Sequence, residues 1–401
     1  MKIQVGIVGK PNVGKSTFFA AATLIDVKIA SYPFTTIEPN VGIGYVRIRC
    51  VCSELGIKDE PRNSMCINGY RFIPVELIDV AGLVPDAWQG RGLGNQFLDH
   101  LRRAPVLIHI VDASGSTDEE GRLVKPGTHD PLRDVEFLEK EIVMWLYQIL
   151  KKDWDRMVKQ IEFSKKQTHQ VLYDRLSGLG IHEHDIIKVL TELELDKKKP
   201  SSWGDDDLLS FVKLLRQISK PMLIVANKMD IPEAEDNYKR MIKELKNKII
   251  VPASAEAELA LRRAAQRGLV KYLPGDEDFE IIDKSRLTKK QIEALDKIKE
   301  FIHKWKGTGV VQALNKAIFD VLGMIPVYPV ADDKKLTDTE GRVLPDVYLV
   351  PRDATVLDLA RMIHTEIAEK AMFAIDVRSG KRLSLDSRLE YKAIIRIVTR
   401  S

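Results

Sequence analysis

The sequence predicts an α/β fold with a mainly parallel sheet, interrupted by a helical insertion and followed by a small α+β unit. Three observations predict it. Short apolar runs at 3–8, 75–78, 106–111, 222–226 and 249–252 read as buried strands alternating with helical patterns, the arrangement of parallel sheets. Between Asp112 and Lys220, Leu138, Ile142, Trp145, Ile149, Met157 and Ile161 recur at helical spacing among Lys, Glu and Gln. From Met324 onward, strand-like runs at 327–330, 343–349 and 394–398 surround a helical pattern at 356–370. The expected units are therefore 1–323, with an insertion at about 130–218, and 324–401.

Each element follows from its own pattern. Residues 3–8 form a strand that runs into a glycine-containing turn, and a helix is expected from about Lys15 to Leu24. In the insertion, Gly178 and Gly180 punctuate a long helical stretch, a second helix is expected near 186–195, and 200–204 breaks the pattern again. The insertion reads equally as a bundle packed on the domain surface or as an arm for a partner. After the strand at 249–252, helices resume to about Gly323, including a lysine-rich stretch at 289–306.

Composition excludes several classes. With 401 residues and 44% hydrophobic, the chain can bury a sizeable core, which rules out a small disulfide scaffold and a disordered chain. Sixty-two Lys and Arg against 58 Asp and Glu give a net charge of +4, too balanced to announce a polyanionic partner. Only three cysteines, Cys50, Cys52 and Cys66, fit a reducing compartment. Residues 1–8 show no cationic leader, and the apolar runs fall far short of the roughly 20 residues of a bilayer span. A cytoplasmic protein with no membrane partner is expected.

The chemistry starts at Gly9-Lys10-Pro11-Asn12-Val13-Gly14-Lys15-Ser16, followed by Thr17, which matches G-x-x-x-x-G-K-[ST] between a strand and a helix. Glycines let the backbone turn so that successive N–H groups converge on phosphate oxygens, and the helix N-terminus adds positive potential. Lys15 should reach the β- and γ-phosphates and Ser16 should ligate Mg²⁺. Asp79-Val80-Ala81-Gly82 follows the strand at 75–78, where Asp79 can hold Mg²⁺ through water and the Gly82 N–H can sense the γ-phosphate.

Asn227-Lys228-Met229-Asp230 follows the strand at 222–226. Asp230 can accept hydrogen bonds from guanine N1–H and the exocyclic amine, Lys228 can lie along the base, and Asn227 can tie loops together. Ser254-Ala255, after the next strand, would supply a backbone N–H to guanine O6. Such a site rejects an analogue lacking its partner groups by roughly 10⁴–10⁵.

In this order the motifs resemble the translation-factor class of P-loop GTPases. Tyr32-Pro33-Phe34-Thr35-Thr36-Ile37-Glu38-Pro39-Asn40-Val41-Gly42 looks like the switch I of the Obg superfamily, as do Gly92-Leu93-Gly94-Asn95-Gln96-Phe97-Leu98 and His109-Ile110-Val111-Asp112-Ala113. The helical insertion and small C-terminal unit resemble the YchF subfamily, whose tail is a TGS domain of β-grasp fold. That resemblance covers nearly the whole chain. It implies Thr36 as the switch residue for Mg²⁺ and the γ-phosphate and a ribosome or RNA contact through the helical arm and the TGS domain; a monomer is expected. Some YchF-like proteins alter the base-selecting motif and prefer ATP; here Asn227, Lys228 and Asp230 are complete, so GTP is expected over ATP.

Leu83 stands where Ras-like enzymes carry the water-orienting Gln, so slow hydrolysis by water is expected and no catalytic base is assigned. In several related GTPases an asparagine placed like Asn12 helps hold K⁺ between phosphates; the plainer reading of Asn12 is a loop-stabilising residue. The competing functional class is an interaction protein whose bound nucleotide is mainly structural. Cys50-Val51-Cys52 with Cys66 could offer three thiolates to Zn²⁺, but C-x-C with one distant Cys is a weak pattern and reads first as buried thiols. His182-Glu183-His184 reads as a solvated helix start. The lysines at 289–306, 151–152 and 197–199 could touch RNA phosphates, although acidic residues interleave with the first group. Residues 50–70 separate switch I from Asp79 and carry no assignable role in sequence.

Overall fold

The computed structural model describes residues 3–24, 40–80, 102–164 and 166–400. Strand β1 (Gln4–Val8) is wholly apolar apart from Gln4 and lies at the centre of the main sheet. It pairs in parallel with β4 (Tyr70–Asp79) on one side and β5 (Val106–Asp112) on the other. Strands β6 (Met222–Asn227) and β7 (Ile250–Pro252) extend the parallel sheet beyond β5. At the opposite edge, β2 (Val41–Arg49) and the short β3 (Met65–Ile67) run antiparallel to β4. Strands β5 and β6 are buried along their whole length, as expected when both faces of a parallel sheet are covered.

One face is covered by α1 (Lys15–Thr23), which buries Phe18, Ala21 and Ala22. A five-residue helix α2 (Val51–Leu55) follows β2. The other face carries the insertion, in which α3 (Pro131–Phe163) is capped by the Asp130 carboxylate, which accepts from the Leu132 N–H. Helices α4 (Thr168–Leu176) and α6 (Asp205–Ser219) pack on it, and α5 (Glu183–Glu192) packs against those two. Trp145, Leu150, Trp154 and Met157 of α3 share one core with Val8, Ile78 and Leu107 of the sheet, and Trp154 stacks on Trp203 with ring centroids 5.2 Å apart. Of the two readings of the insertion, its base is a bundle fastened to the sheet. His182 is the N-cap residue of α5, as its sequence suggested.

Three further helices, α7 (Ala234–Glu244), α8 (Ala255–Gln266) and α9 (Lys289–Trp305), surround the end of the main sheet beside a two-stranded ribbon, β8 (Val270–Lys271) and β9 (Glu280–Ile281). Helix α10 (Val310–Asn315) continues as a π-helical turn, Lys316–Val321, into the C-terminal unit. There a five-stranded sheet runs β11 (Tyr348–Pro351), β10 (Met324–Val330), β14 (Ile394–Thr399), β12 (Ala371–Asp376) and β13 (Lys381–Leu383). Only β10 and β14 pair in parallel, and α11 (Val356–Ile363) and α12 (Thr365–Lys370) accompany the sheet.

Two elements differ from the sequence expectation. The single helix expected at 356–370 breaks at His364, whose φ is −166° and whose Nδ1 accepts from the Glu366 N–H, so the imidazole caps a second helix. The strand expected at 343–349 begins only at Tyr348. Its first half pairs instead with the segment after α2: Glu60 N–H donates to Val343 O at 2.8 Å and Arg62 N–H to Pro345 O at 2.7 Å. The two units thereby share a core, in which Leu344, Val347 and Tyr328 join Val46, Cys50 and Val51.

Candidate functional site

The phosphate-loop, Asp79, Asn-Lys-x-Asp and Ser254-Ala255 motifs all lie at the C-terminal edge of the parallel strands, where open α/β sheets bind ligands. β1 delivers the chain to Gly9, whose φ of +149° and close approach to Ile110 O leave no room for a Cβ: one built there would lie 2.5 Å from that oxygen. The loop then turns through Asn12 at φ 62° and Gly14 at φ 94° into α1. Lys15 opens the helix, and its Nζ donates back across the loop to Lys10 O at 3.3 Å. Ser16 is exposed at the same helix end. Burial pulls the Lys15 ammonium below its ordinary pKa, while the Asp79 carboxylate opposes that shift. Asp79 sits beside the loop because β4 and β1 pair in register, Ile7 opposite Asp79.

Lys10 and Asn12 use their side chains to hold the loop. The Lys10 ammonium is buried between Asp134 Oδ1 at 2.8 Å and Thr117 O at 2.9 Å, which fastens the loop to the first turn of α3. Asn12 Nδ2 donates to Gly121 O at 2.9 Å. Any contact of Lys10 with a phosphate therefore falls to its backbone N–H.

Asn227 joins three segments. Its Nδ2 donates to Val13 O at 2.9 Å, and its Oδ1 accepts from Ala255 N–H at 3.1 Å. The loop-tying role read from sequence is thus visible as geometry. One detail differs from the expectation for the Ser254-Ala255 loop: the Ala255 N–H is held by Asn227, and the Ser254 N–H donates to Thr308 O at 2.9 Å. Ser254 Oγ caps α8 by accepting from Ala257 N–H. Asp230 is exposed at the end of the same loop.

Sequence reasoning missed the partner of Lys228. Lys228 adopts φ 62°, and its Nζ donates to Asp112 Oδ2 at 2.8 Å and Ser116 Oγ at 3.2 Å. Asp112, on the last position of β5 and paired with Asn227 on β6, also accepts from Ser114 and Thr117. Burial alone would raise its pKa, but Lys228 and the hydroxyls hold the carboxyl below its ordinary value. The Lys228 ammonium is thus held in place by Asp112 and Ser116. A strand-final Asp followed by Ser114 and Ser116 was the available signal. Thr36, Gly82 and Leu83 lie outside the described residues.

Gly14→Ala supplies a test of this packing. A Cβ there would stand 2.3 Å from Asn227 Nδ2, at a φ that costs a non-glycine residue about 1–3 kcal/mol. The substitution should break the Asn227 bridge and abolish binding of a fluorescent guanine nucleotide. Gly56→Ala, also at positive φ but with open space around it, should leave binding intact.

A strand–loop–helix phosphate cradle, a carboxylate at the next strand end and an Asn-Lys-x-Asp loop bridged to the cradle define a P-loop nucleotide-binding protein of the G-domain class. Residues 4–143 match the family described as 50S ribosome-binding GTPase, 225–332 the Obg-like GTPase YGR210-like G4 motif-containing domain, and 339–399 the TGS domain. The chain belongs to the Obg-like GTPases of the YchF/YGR210 family. It is 50% identical over 99% of both chains to the uncharacterized GTP-binding protein MJ1332 of Methanocaldococcus jannaschii. Identity is 31% to the ribosome-binding ATPase YchF of Bacillus subtilis, over 65% of this chain and 68% of that protein. The crystal structure of a GTP binding protein from Pyrococcus horikoshii OT3 superposes with a TM-score of 0.81 at 38% identity, covering 99% of this chain and all of that one.

Proposed function

We propose that this protein binds GTP and hydrolyses it slowly as a Mg²⁺-dependent switch that associates with the ribosome or RNA. The observation that carries the reading is the Asn227 bridge, which couples the phosphate loop to the loop bearing Asp230. With the Ala255 N–H already engaged, the choice of base rests first on Asp230, whose carboxylate accepts from N1–H and the exocyclic amine of guanine. Lys228, steadied by Asp112, flanks the base.

At the phosphate end, the loop's N–H groups and Lys15 bind the β- and γ-phosphates. Ser16, Asp79 and the Thr36 hydroxyl are hard oxygen donors that fit Mg²⁺, with Asp79 acting through water. Mg²⁺ when bound would neutralise charge on the β- and γ-phosphate oxygens. Leu83 offers no hydrogen bond to an attacking water, which keeps intrinsic turnover slow. Since the Asn12 amide nitrogen is engaged by Gly121, a K⁺ contact would fall to its Oδ1. Single-turnover hydrolysis should then be faster in KCl than in NaCl, and Asn12→Ala should erase the difference; equal rates remove K⁺ from the mechanism.

The ribosome part rests on relatives named ribosome-binding ATPases and on the TGS domain. The lysine groups considered for RNA already engage acids: Lys304 pairs with Glu235 at 2.5 Å, Lys299 with Asp278 at 3.1 Å, Lys198 with Asp207 at 2.8 Å, and Lys151 with Asp205. These pairs are exposed and weak, so phosphates could displace the carboxylates. Two measurements test the whole reading. GTP, but not ATP at the same concentration, should displace bound labelled GDP, and the protein should pellet with ribosomes in the GTP-analogue state. Equal displacement by ATP overturns the base assignment; no pelleting in any nucleotide state overturns the ribosome assignment.

A further inference from the structure

The segment without a sequence role folds three thiols and a carboxylate into one cluster. Cys50 is the N-cap residue of α2, Cys52 lies within it, Asp59 follows in the next loop, and Cys66 is on β3. Cys50 Sγ is 3.1 Å from Asp59 Oδ2, and Cys52 Sγ is 3.6 Å from Cys66 Sγ. The four donor atoms all lie within 4.8 Å of one another, and Cys50, Cys52 and Asp59 are buried. A tetrahedral zinc ion, with bonds of about 2.3 Å to sulfur and about 2.0–2.2 Å to oxygen, sets its ligands about 3.4–3.8 Å apart. Two of the spacings, 3.1 and 3.6 Å, are near those edges, and the rest, within 4.8 Å, would contract by at most about 1 Å around an ion. A disulfide would need Cys52 and Cys66 to close to about 2.05 Å and would leave Cys50 and Asp59 outside it.

We propose that Cys50, Cys52, Cys66 and Asp59 form a closed structural site for a thiophilic divalent cation, zinc by the chemistry of the donor set. Four protein ligands leave no position for substrate, which marks the site as structural. Three thiolates and a carboxylate carry four negative charges; a divalent ion and the adjacent Arg71 guanidinium, 2.6 Å from Asp59 Oδ2, offset three of them. Arg71 is fully buried and serves as the outer partner that orients the Asp59 ligand. A second outer group is at hand in Tyr328, on β10. Among the described residues its buried hydroxyl has no hydrogen-bond partner, and Tyr328 shares a core with Cys50, which places the hydroxyl to donate to a thiolate. Uptake of the ion displaces the thiol protons to solvent.

The site would therefore fix the α2–β3 segment where it meets the C-terminal unit. The probe is Co²⁺ alone, titrated into the full reduced chain after chelation, followed by Zn²⁺. The expected result is one equivalent of Co²⁺ with a thiolate-to-cobalt charge-transfer band and the visible bands of a tetrahedral ion, bleached by one equivalent of Zn²⁺. Cys66→Ser should weaken Co²⁺ binding by more than the roughly 10–100-fold that loss of an outer-shell partner costs. Folded, fully reduced wild-type protein that gives no thiolate–cobalt band overturns the proposal. So does an intact mass two hydrogens light, which would assign Cys52 and Cys66 to a disulfide.

Discussion

Asp230→Asn is expected to weaken GTP binding by about 10²–10⁴-fold, because the exocyclic amine then meets the Nδ2 donor and the N1–H bond loses its charged acceptor, hydrogen bonds to charged groups being worth about 1.5–3 kcal/mol each. The same change should bring in xanthosine triphosphate. Guanine presents two donors to this position, N1–H and the exocyclic amine, and a carboxylate accepts both. Xanthine presents N1–H and a carbonyl oxygen, which match the Oδ1 acceptor and Nδ2 donor of asparagine. Adenine presents neither pair, so ATP affinity should not rise. Competition against a fluorescent guanine nucleotide, run with GTP, xanthosine triphosphate and ATP, reads all three. If the variant retains its GTP affinity, Asp230 does not read the base.

That experiment isolates base selection because the loop is held by other residues. Asn227 carries the bridge to Val13 and Ala255, and Asp112 fixes Lys228, while Asp230 is exposed. Changing Asp230 should leave the thermal midpoint within about 1 °C of wild type, as exposed substitutions typically cost under 0.5 kcal/mol. Changing Asn227 would remove packing and recognition together.

The contrast also shows which parts of the site can be read from sequence. The phosphate loop and Asn-Lys-x-Asp are legible because their chemistry is local: glycines at fixed offsets permit φ values of +149° and +94°, and each motif follows an apolar strand. The groups that steady them are separated along the chain. Asp112 and Lys228 meet only because β5 and β6 pair in register, and Lys10 meets Asp134 only because α3 returns to the loop. No local pattern encodes those meetings. The strand expected at 343–349 fails for the same reason. Its alternating apolar residues do enter a core, but the backbone partners of Val343 and Pro345 are Glu60 and Arg62, from a loop nearly three hundred residues earlier. Likewise, the Cys50–Cys52 spacing gave little until β3 brought Cys66 beside it.

That junction makes Arg71→Met the substitution with the largest expected cost in stability, about 3–5 kcal/mol in the metal-free chain, because there it strands a buried carboxylate. Arg71 is 0% exposed on β4 and reaches in two directions: Nη1 to Asp59 Oδ2 at 2.6 Å, and Nη2 to Leu344 O at 2.5 Å, with Pro345 O at 3.3 Å. One planar fork thus ties the loop after α2 to the entry of the C-terminal sheet. Arg71→Lys should rescue little, since a single ammonium cannot span both sets of acceptors with the same geometry. Arg62, whose side chain is 52% exposed, also pairs across the junction with the buried Asp346, so Arg62→Ala should cost more than a surface pair does but less than Arg71→Met, because its own end of the pair stays in solvent. Urea unfolding of the three variants, with limited proteolysis following cleavage in 331–347, separates a tie made by the buried fork from one made by surface charge. If Arg71→Met and Arg62→Ala cost the same, the fork does not hold the junction, and the apolar contacts of Leu344, Val347 and Tyr328 must carry it.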